Sequence, residues 1–220
     1  MRERGFHVFA DRYEAGRVVG KMVAELTDIA NGVVLGLVRG GVPVAFEVAR
    51  ACGLPLDILV VRKLGVPWQE ELAMGAIARG GAIVLNEDVL RSCKISEAQL
   101  EKVTQREREE LNRREELYRE GQAGVQIAGR AVILVDDGLA TGASMRVAIR
   151  TVKDQARRVI VAVPVGAKST CEELRALADE VVCALIPEPL DAVSQFYREF
   201  DATSDEEVRE LLRRGAGSRG

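Results

Sequence analysis

Histidine is almost missing from this chain: His7 is the only one among 220 residues. That excludes a zinc site built from several histidines and leaves a Ser-His-Asp triad a single candidate base. Cysteine is sparse and scattered, at Cys52, Cys93, Cys171 and Cys183, with no CxxC spacing. The scatter argues against a disulfide framework or an all-cysteine zinc site, and for reduced thiols in a cytoplasmic protein. Aromatics make up only 4%. No apolar run approaches the roughly 18 residues of a membrane span. Residues 1–16 carry charge but no apolar stretch of the kind a secretory signal needs. Lys+Arg 31 against Asp+Glu 34 leave a net charge of -3, so nothing electrostatic calls for a nucleic-acid partner.

What the chain has is a folded composition, 47% hydrophobic, and a regular alternation of elements. Residues 13–26 carry Val18, Val19, Met22, Val23 and Leu26 at helical spacing, with Asp11 placed to cap the start. Short runs rich in Val, Ile and Leu at 33–38, 56–61, 131–135, 159–163 and 181–186 read as buried strands. Helices are predicted between them, from Pro43 to about 51, over 142–155 and over 170–178, with another at 204–213. The stretch 64–81 holds Gly65, Pro67, Gly75, Gly80 and Gly81 and is not read as a single element; 82–85 reads as a strand. Ser96 with Gln99 forms a capping box ahead of a charged run to residue 120, a solvated helix with a thin apolar stripe.

The predicted fold class is α/β: a parallel twisted sheet flanked by helices. It is expected as a single domain over 1–220, with a helical insertion at about 87–122 and a small hood region at about 187–205. In such sheets ligands bind beyond the carboxyl ends of the strands. There the unusual residues fall. Residues 132–144 read as a buried strand, then Asp136-Asp137, a small-residue loop, and a helix start at Gly142. Glycine turns and a helix N-terminus aim N–H groups and positive potential at one spot, and Thr141 and Ser144 add hydroxyls, which makes a phosphate cradle. Asp136 and Asp137 sit at its edge as acceptors for paired hydroxyls or a magnesium ion. Arg39-Gly40-Gly41, after the first strand, offers backbone N–H groups and a guanidinium to a dianion; a plain turn with a surface arginine would read the same.

The run from Val132 to Ser144 resembles the signature of type I phosphoribosyltransferases that bind 5-phosphoribosyl 1-pyrophosphate (PRPP). The wider layout looks like a subgroup of predicted phosphoribosyltransferases sharing L-x-R-G-G-V, V-R-K-x-G, a helical insertion and D-D-G-x-A-T-G-A-S-M. The resemblance implies that Asp136 and Asp137 hold the ribose hydroxyls, that Ala140, Thr141, Gly142, Ala143 and Ser144 hold the 5'-phosphate, and that Arg39, Gly40 and Gly41 form the pyrophosphate loop. It also implies that Arg62 and Lys63 open a mobile catalytic loop, and that Mg2+ is the cofactor, with Asp136 mostly in its outer shell. The reaction implied is displacement of pyrophosphate at ribose C1 by a nitrogen of a nucleobase or related acceptor.

Ala140 departs from the aspartate that 6-oxopurine enzymes carry there, which removes one general base. Glu70 or Glu71 could replace it, or both could be ordinary solvated glutamates. Phe196, Tyr197 and Phe200 in the hood could stack on a base, or pack into the core. A second functional class stays open, a catalytically silent PRPP-binding regulatory protein. A homodimer joined through residues 96–120 is compatible with either.

Overall fold

The structure, a computed structural model, describes residues 8–78 and 83–216. His7, Gly80, Gly81 and Ala82 lie outside the described residues. Helix α1 (Arg12–Ala24) starts where Asp11 accepts the Glu14 N–H at 2.7 Å, the cap expected of it. Strand β1 (Val33–Leu37), helix α2 (Gly41–Cys52) and strand β2 (Leu56–Leu59) follow. The chain then leaves the sheet at Val60 to make β3 (Val61–Val66), β4 (Gln69–Ala78) and β5 (Ile83–Leu85). Two helices come next, α3 (Glu87–Ser92) and α4 (Glu97–Arg119). The capping box forms as expected, with the Ser96 side chain on the Gln99 N–H and the Gln99 side chain on the Ser96 N–H. The remaining elements are β6 (Ala131–Val135), α5 (Ala143–Lys153), β7 (Arg158–Val165), α6 (Lys168–Arg175), β8 (Glu180–Leu185), a 3-10 turn at Val193–Phe196, and α7 (Asp205–Ala216).

The main sheet is five-stranded and parallel, in the order β2-β1-β6-β7-β8. Its strands are apolar throughout because both faces are covered. Ile133 and Val135 of β6 point into a layer with α1, α2 and α7, while Val132 and Leu134 point into one with α5 and α6. Full burial of each such side chain contributes about 1.5–3 kcal/mol. The chain steps from β1 outward to β2, then returns to place β6 on the other side of β1. That reversal opens a crevice between the ends of β1 and β6, the position where doubly wound sheets take ligands.

Two expectations need correction. The strand read over 56–61 is two strands in different sheets, broken at Val60. The glycine-rich stretch, not read as a single element, is, over its described part, an antiparallel sheet in the order β3-β4-β5. Two of its glycines allow neighbouring backbones to approach closely. A Cβ on Gly65 would stand 2.5 Å from the Glu70 carbonyl oxygen, and one on Gly75 would stand 2.5 Å from that of Val84. Ala76 and Ala78 seat this small sheet on Val147 of α5. Helix α4 runs against its other side, burying Val103, Leu111 and Tyr118 in the main core. None of the helices among the described residues is long and apolar enough to cross a membrane.

Candidate functional site

At the crevice the loop after β1 and the loop after β6 are pressed together, and two glycines make this possible. A Cβ on Gly40 would collide with the Asp137 carboxylate, and one on Gly41 would lie 2.6 Å from the Val135 carbonyl oxygen. Arg39, Gly40 and Gly41 are thereby brought beside Asp136 and Asp137, as the sequence spacing suggests. Arg39 itself is exposed and forms an ion pair with Asp205 of α7 at 3.6 Å. The Tyr118 hydroxyl of α4 donates to the same Asp205 oxygen at 2.7 Å, and burial followed by that bond pushes the phenol up to about 12.

The loop from Leu139 to Gly142 is tied down from below. Leu139 N–H donates to the Val165 carbonyl, Ala167 N–H to the Leu139 carbonyl, and the Thr170 hydroxyl to the Ala140 carbonyl at 2.7 Å. Gly142 takes φ 67, in the left-handed region, and opens α5. The first N–H groups of a helix lack intrahelical partners, so those at the start of α5 face outward and carry the positive end of its dipole. Ala140, Thr141, Ala143 and Ser144 lie at this end of the loop, with Thr141, Ala143 and Ser144 exposed and free to meet a ligand. The geometry is that of an open anion cradle.

Asp136 and Asp137 sit at the end of β6 in a markedly different environment. Burial, then the neighbouring Asp137 charge, pushes the Asp136 carboxyl well above its usual range, against a hydrogen bond from the Asp137 N–H at 2.9 Å. Asp137 is also pushed up by burial, opposed chiefly by Arg12. Arg12 was not singled out by the sequence reading, and no local pattern marks it: it lies 125 residues away in the chain. Its Nε and Nη2 reach one Asp137 oxygen at 2.9 and 2.8 Å, and its Nη1 donates to the Asp201 carbonyl at 2.7 Å. Beneath Asp137, the Tyr197 hydroxyl donates to its carbonyl at 2.6 Å.

The acid pair is where a divalent cation would fit. Arg12 pairs with Asp137 alone, and a cation beside Asp136 would offset the burial and the neighbouring charge that raise it. Among the described residues no group of three or more His, Cys, Asp and Glu side chains could hold a metal alone. The donor set therefore suits an ion that keeps waters and shares oxygens with a phosphorylated substrate.

The other candidates stand elsewhere. Arg62 and Lys63 lie on β3, not in a loop, and their partners are on α4 and β4. Arg62 Nε and Nη2 both donate to Glu107 Oε2, at 2.9 and 2.6 Å, and Lys63 pairs with Glu71 at 3.2 Å. Arg106 joins Glu70 and Glu107 around the same cleft of about 180 Å³. The structure does not bring Glu71 to the acid pair; its side chain is 96% exposed beside Lys63. Phe196 and Tyr197 also differ from the stacking role considered for them. Both are buried, in a small cluster with Phe9 and Val165, because residues 8–10 run alongside 196–199 and cover their rings. They support the Asp137 loop rather than offer a stacking face.

The phosphoribosyl transferase domain model matches residues 13–194. Proteins of Mycobacterium tuberculosis strains CDC 1551 and H37Rv, provisionally named phosphoribosyl transferases, are each 47% identical over 208 residues, or 94% of this chain. The chain spans about half the length of these curated relatives, 47%. The crystal structure of TT1426 from Thermus thermophilus is 44% identical, covers 93% of this chain and 97% of its own, and superposes with a TM-score of 0.81.

Proposed function

Because the chain belongs to the phosphoribosyl transferase family, we propose that it uses PRPP, transferring the phosphoribosyl group to a nitrogen acceptor in a magnesium-dependent reaction. The observation that carries this reading is the joining of three parts at one crevice: the under-neutralised acid pair, the cradle at the start of α5, and the Arg39-Gly40-Gly41 loop. In this reading the 5'-phosphate lies on the N–H groups and hydroxyls of residues 141–144, and the ribose hydroxyls donate to Asp136 and Asp137. The acceptor nitrogen attacks C1, and the C1–oxygen bond breaks with its electron pair leaving on pyrophosphate. Positive charge grows on the ribose and negative charge on the leaving group, so the protein's contribution is alignment and electrostatics. Arg39 neutralises the departing pyrophosphate, with Arg62 and Lys63 assisting once the hairpin closes. Magnesium, held with Asp136 and the substrate oxygens, supplies the remaining charge neutralisation. The scattered cysteines support a cytoplasmic setting.

One observation favours the alternative of PRPP binding without turnover: Arg62 is engaged with Glu107 and is not free for a leaving group. Pyrophosphate release from PRPP with Mg2+, measured across a panel of nucleobases and amines, decides between the two. Release with any acceptor supports the transferase. PRPP binding without release supports the silent binder, and absence of PRPP binding sinks both.

A further inference from the structure

Four groups bear on Asp137, one from its chain neighbour and three from distant segments. Its N–H donates to Asp136, its carbonyl accepts from Tyr197, and Gly40 closes against its carboxylate. The fourth is Arg12, which approaches from the side. Both of its donating nitrogens reach the same oxygen, Oδ2, instead of spanning the carboxylate as a fork. Oδ1 carries no side-chain hydrogen bond among the described residues. The guanidinium is itself held, by the Asp201 carbonyl at 2.7 Å and by the Phe200 ring, whose centre is 3.9 Å from its central carbon. The ion pair is largely buried, at 11% and 18% exposure for the two side chains. An arginine held on three sides is a fixed support, since its side-chain entropy is already spent.

We propose that Arg12 is a positioning residue that turns Asp137 Oδ1 toward the ribose of PRPP and ties that acid to the 197–201 segment. The proposal rests on the PRPP reading above. Residues 8–12 run beside 196–199, with Arg198 N–H on the Phe9 carbonyl and Glu199 N–H on the Ala10 carbonyl. A shift of the hood segment therefore moves Arg12 and, through it, the ribose acid.

The test compares wild type, Arg12→Ala and Arg12→Lys for binding of PRPP with Mg2+ and of inorganic phosphate, with thermal melting as a folding check. The phosphate cradle contains no Arg12 contact, so phosphate serves as the internal control. Loss of a charge-assisted hold predicts PRPP binding weakened about tenfold or more in Arg12→Ala, with phosphate binding unchanged. Arg12→Lys keeps the charge without the two-nitrogen grip and recovers only part of the loss. Equal or tighter PRPP binding by Arg12→Ala overturns the proposal, and so does a matching loss for phosphate, which would mark Arg12 as a general support. If Arg12→Ala does not fold, Arg12→Lys decides: full wild-type affinity overturns the proposal, and a partial loss confined to PRPP upholds it. A wild-type protein that binds phosphate but not PRPP defeats the proposed function itself, an outcome distinct from any difference between variants.

Discussion

At the strand end, Asp136 and Asp137 stand side by side and only Asp137 is paired with Arg12; along the hairpin, Arg62, Lys63 and Arg106 face Glu70, Glu71 and Glu107. Both regions are dense in charge, yet one is left short of neutralisation and the other is matched. Both acids are partly buried, and burial raises both carboxyls. The hairpin charges are mostly open to water, where ion pairs contribute little. The contrast separates a region built to receive something from a region that mainly holds itself together.

The largest expected effect attacks the first region through its backbone. Gly41→Ala places a Cβ 2.6 Å from the Val135 carbonyl oxygen and 2.9 Å from the Asp136 Cα. It should cost about 3 kcal/mol in urea denaturation, the upper end for overpacking, and should abolish PRPP binding. A stable, binding-competent variant would mean that the two loops are not held together as described.

Glu107→Ala tests the second region and should cost less, about 2 kcal/mol. It strands Arg62, but that side chain is 27% exposed and water can reach it. Proteolysis of the β3–β4 hairpin should accelerate. If PRPP affinity fell as far as in Gly41→Ala, the two regions would not be separable.

The third prediction uses pH. Because Asp136 is raised from its ordinary value of 3.8, the folded protein holds that proton more tightly than the unfolded chain. Its stabilising effect is therefore full below 3.8 and is lost as pH rises through the window up to the raised value, by about 1.4 kcal/mol per pH unit at most. Ligand-free Asp136→Asn should gain stability over wild type across that window in thermal melts. Parallel curves would remove the strain from the acid pair.

Glu110, on the solvated face of α4, gives the smallest effect and the opposite sign. Hydrogen bonds from Arg113 and then Arg114 lower its carboxyl from 4.5 to about 2. Its contribution is present above 4.5 and gone below about 2. On so exposed a surface, Glu110→Gln should change stability by under about 0.5 kcal/mol, read as a difference in melting temperature between neutral and acid pH.

The first region was also far more legible than the second. Buried strands announce themselves by unbroken Val, Ile and Leu, and Asp11, Ser96 and Gln99 mark their helix starts by local chemistry that needs no tertiary partner. The acids and the cradle lie within one thirteen-residue run, so spacing alone exposed them. Arg12 escaped because its meaning comes from a residue 125 positions away. The hairpin escaped for a different reason. Its alternation is broken by bulges between Leu64 and Val66, and its glycines, needed for close backbone contact, read in sequence as loop residues. Phe196 and Tyr197 were visible as a cluster, but which side of them would be covered depended on residues 8–10, at the opposite end of the chain.

Helix α4 is fastened at two points: Glu107 grips Arg62 of the hairpin, and Arg119 grips Asp57 of β2 at 2.8 Å, with both side chains of the second pair under 10% exposed. Twelve residues of helix separate the anchors, a rise of about 18 Å. The helix therefore acts as a ruler between the small sheet and the large one. One residue added between the anchors turns the second about 100° away from its partner, while seven added together restore the facing but overshoot by about 10 Å. The outward residues of α4 can change freely, but its length between residues 107 and 119 cannot.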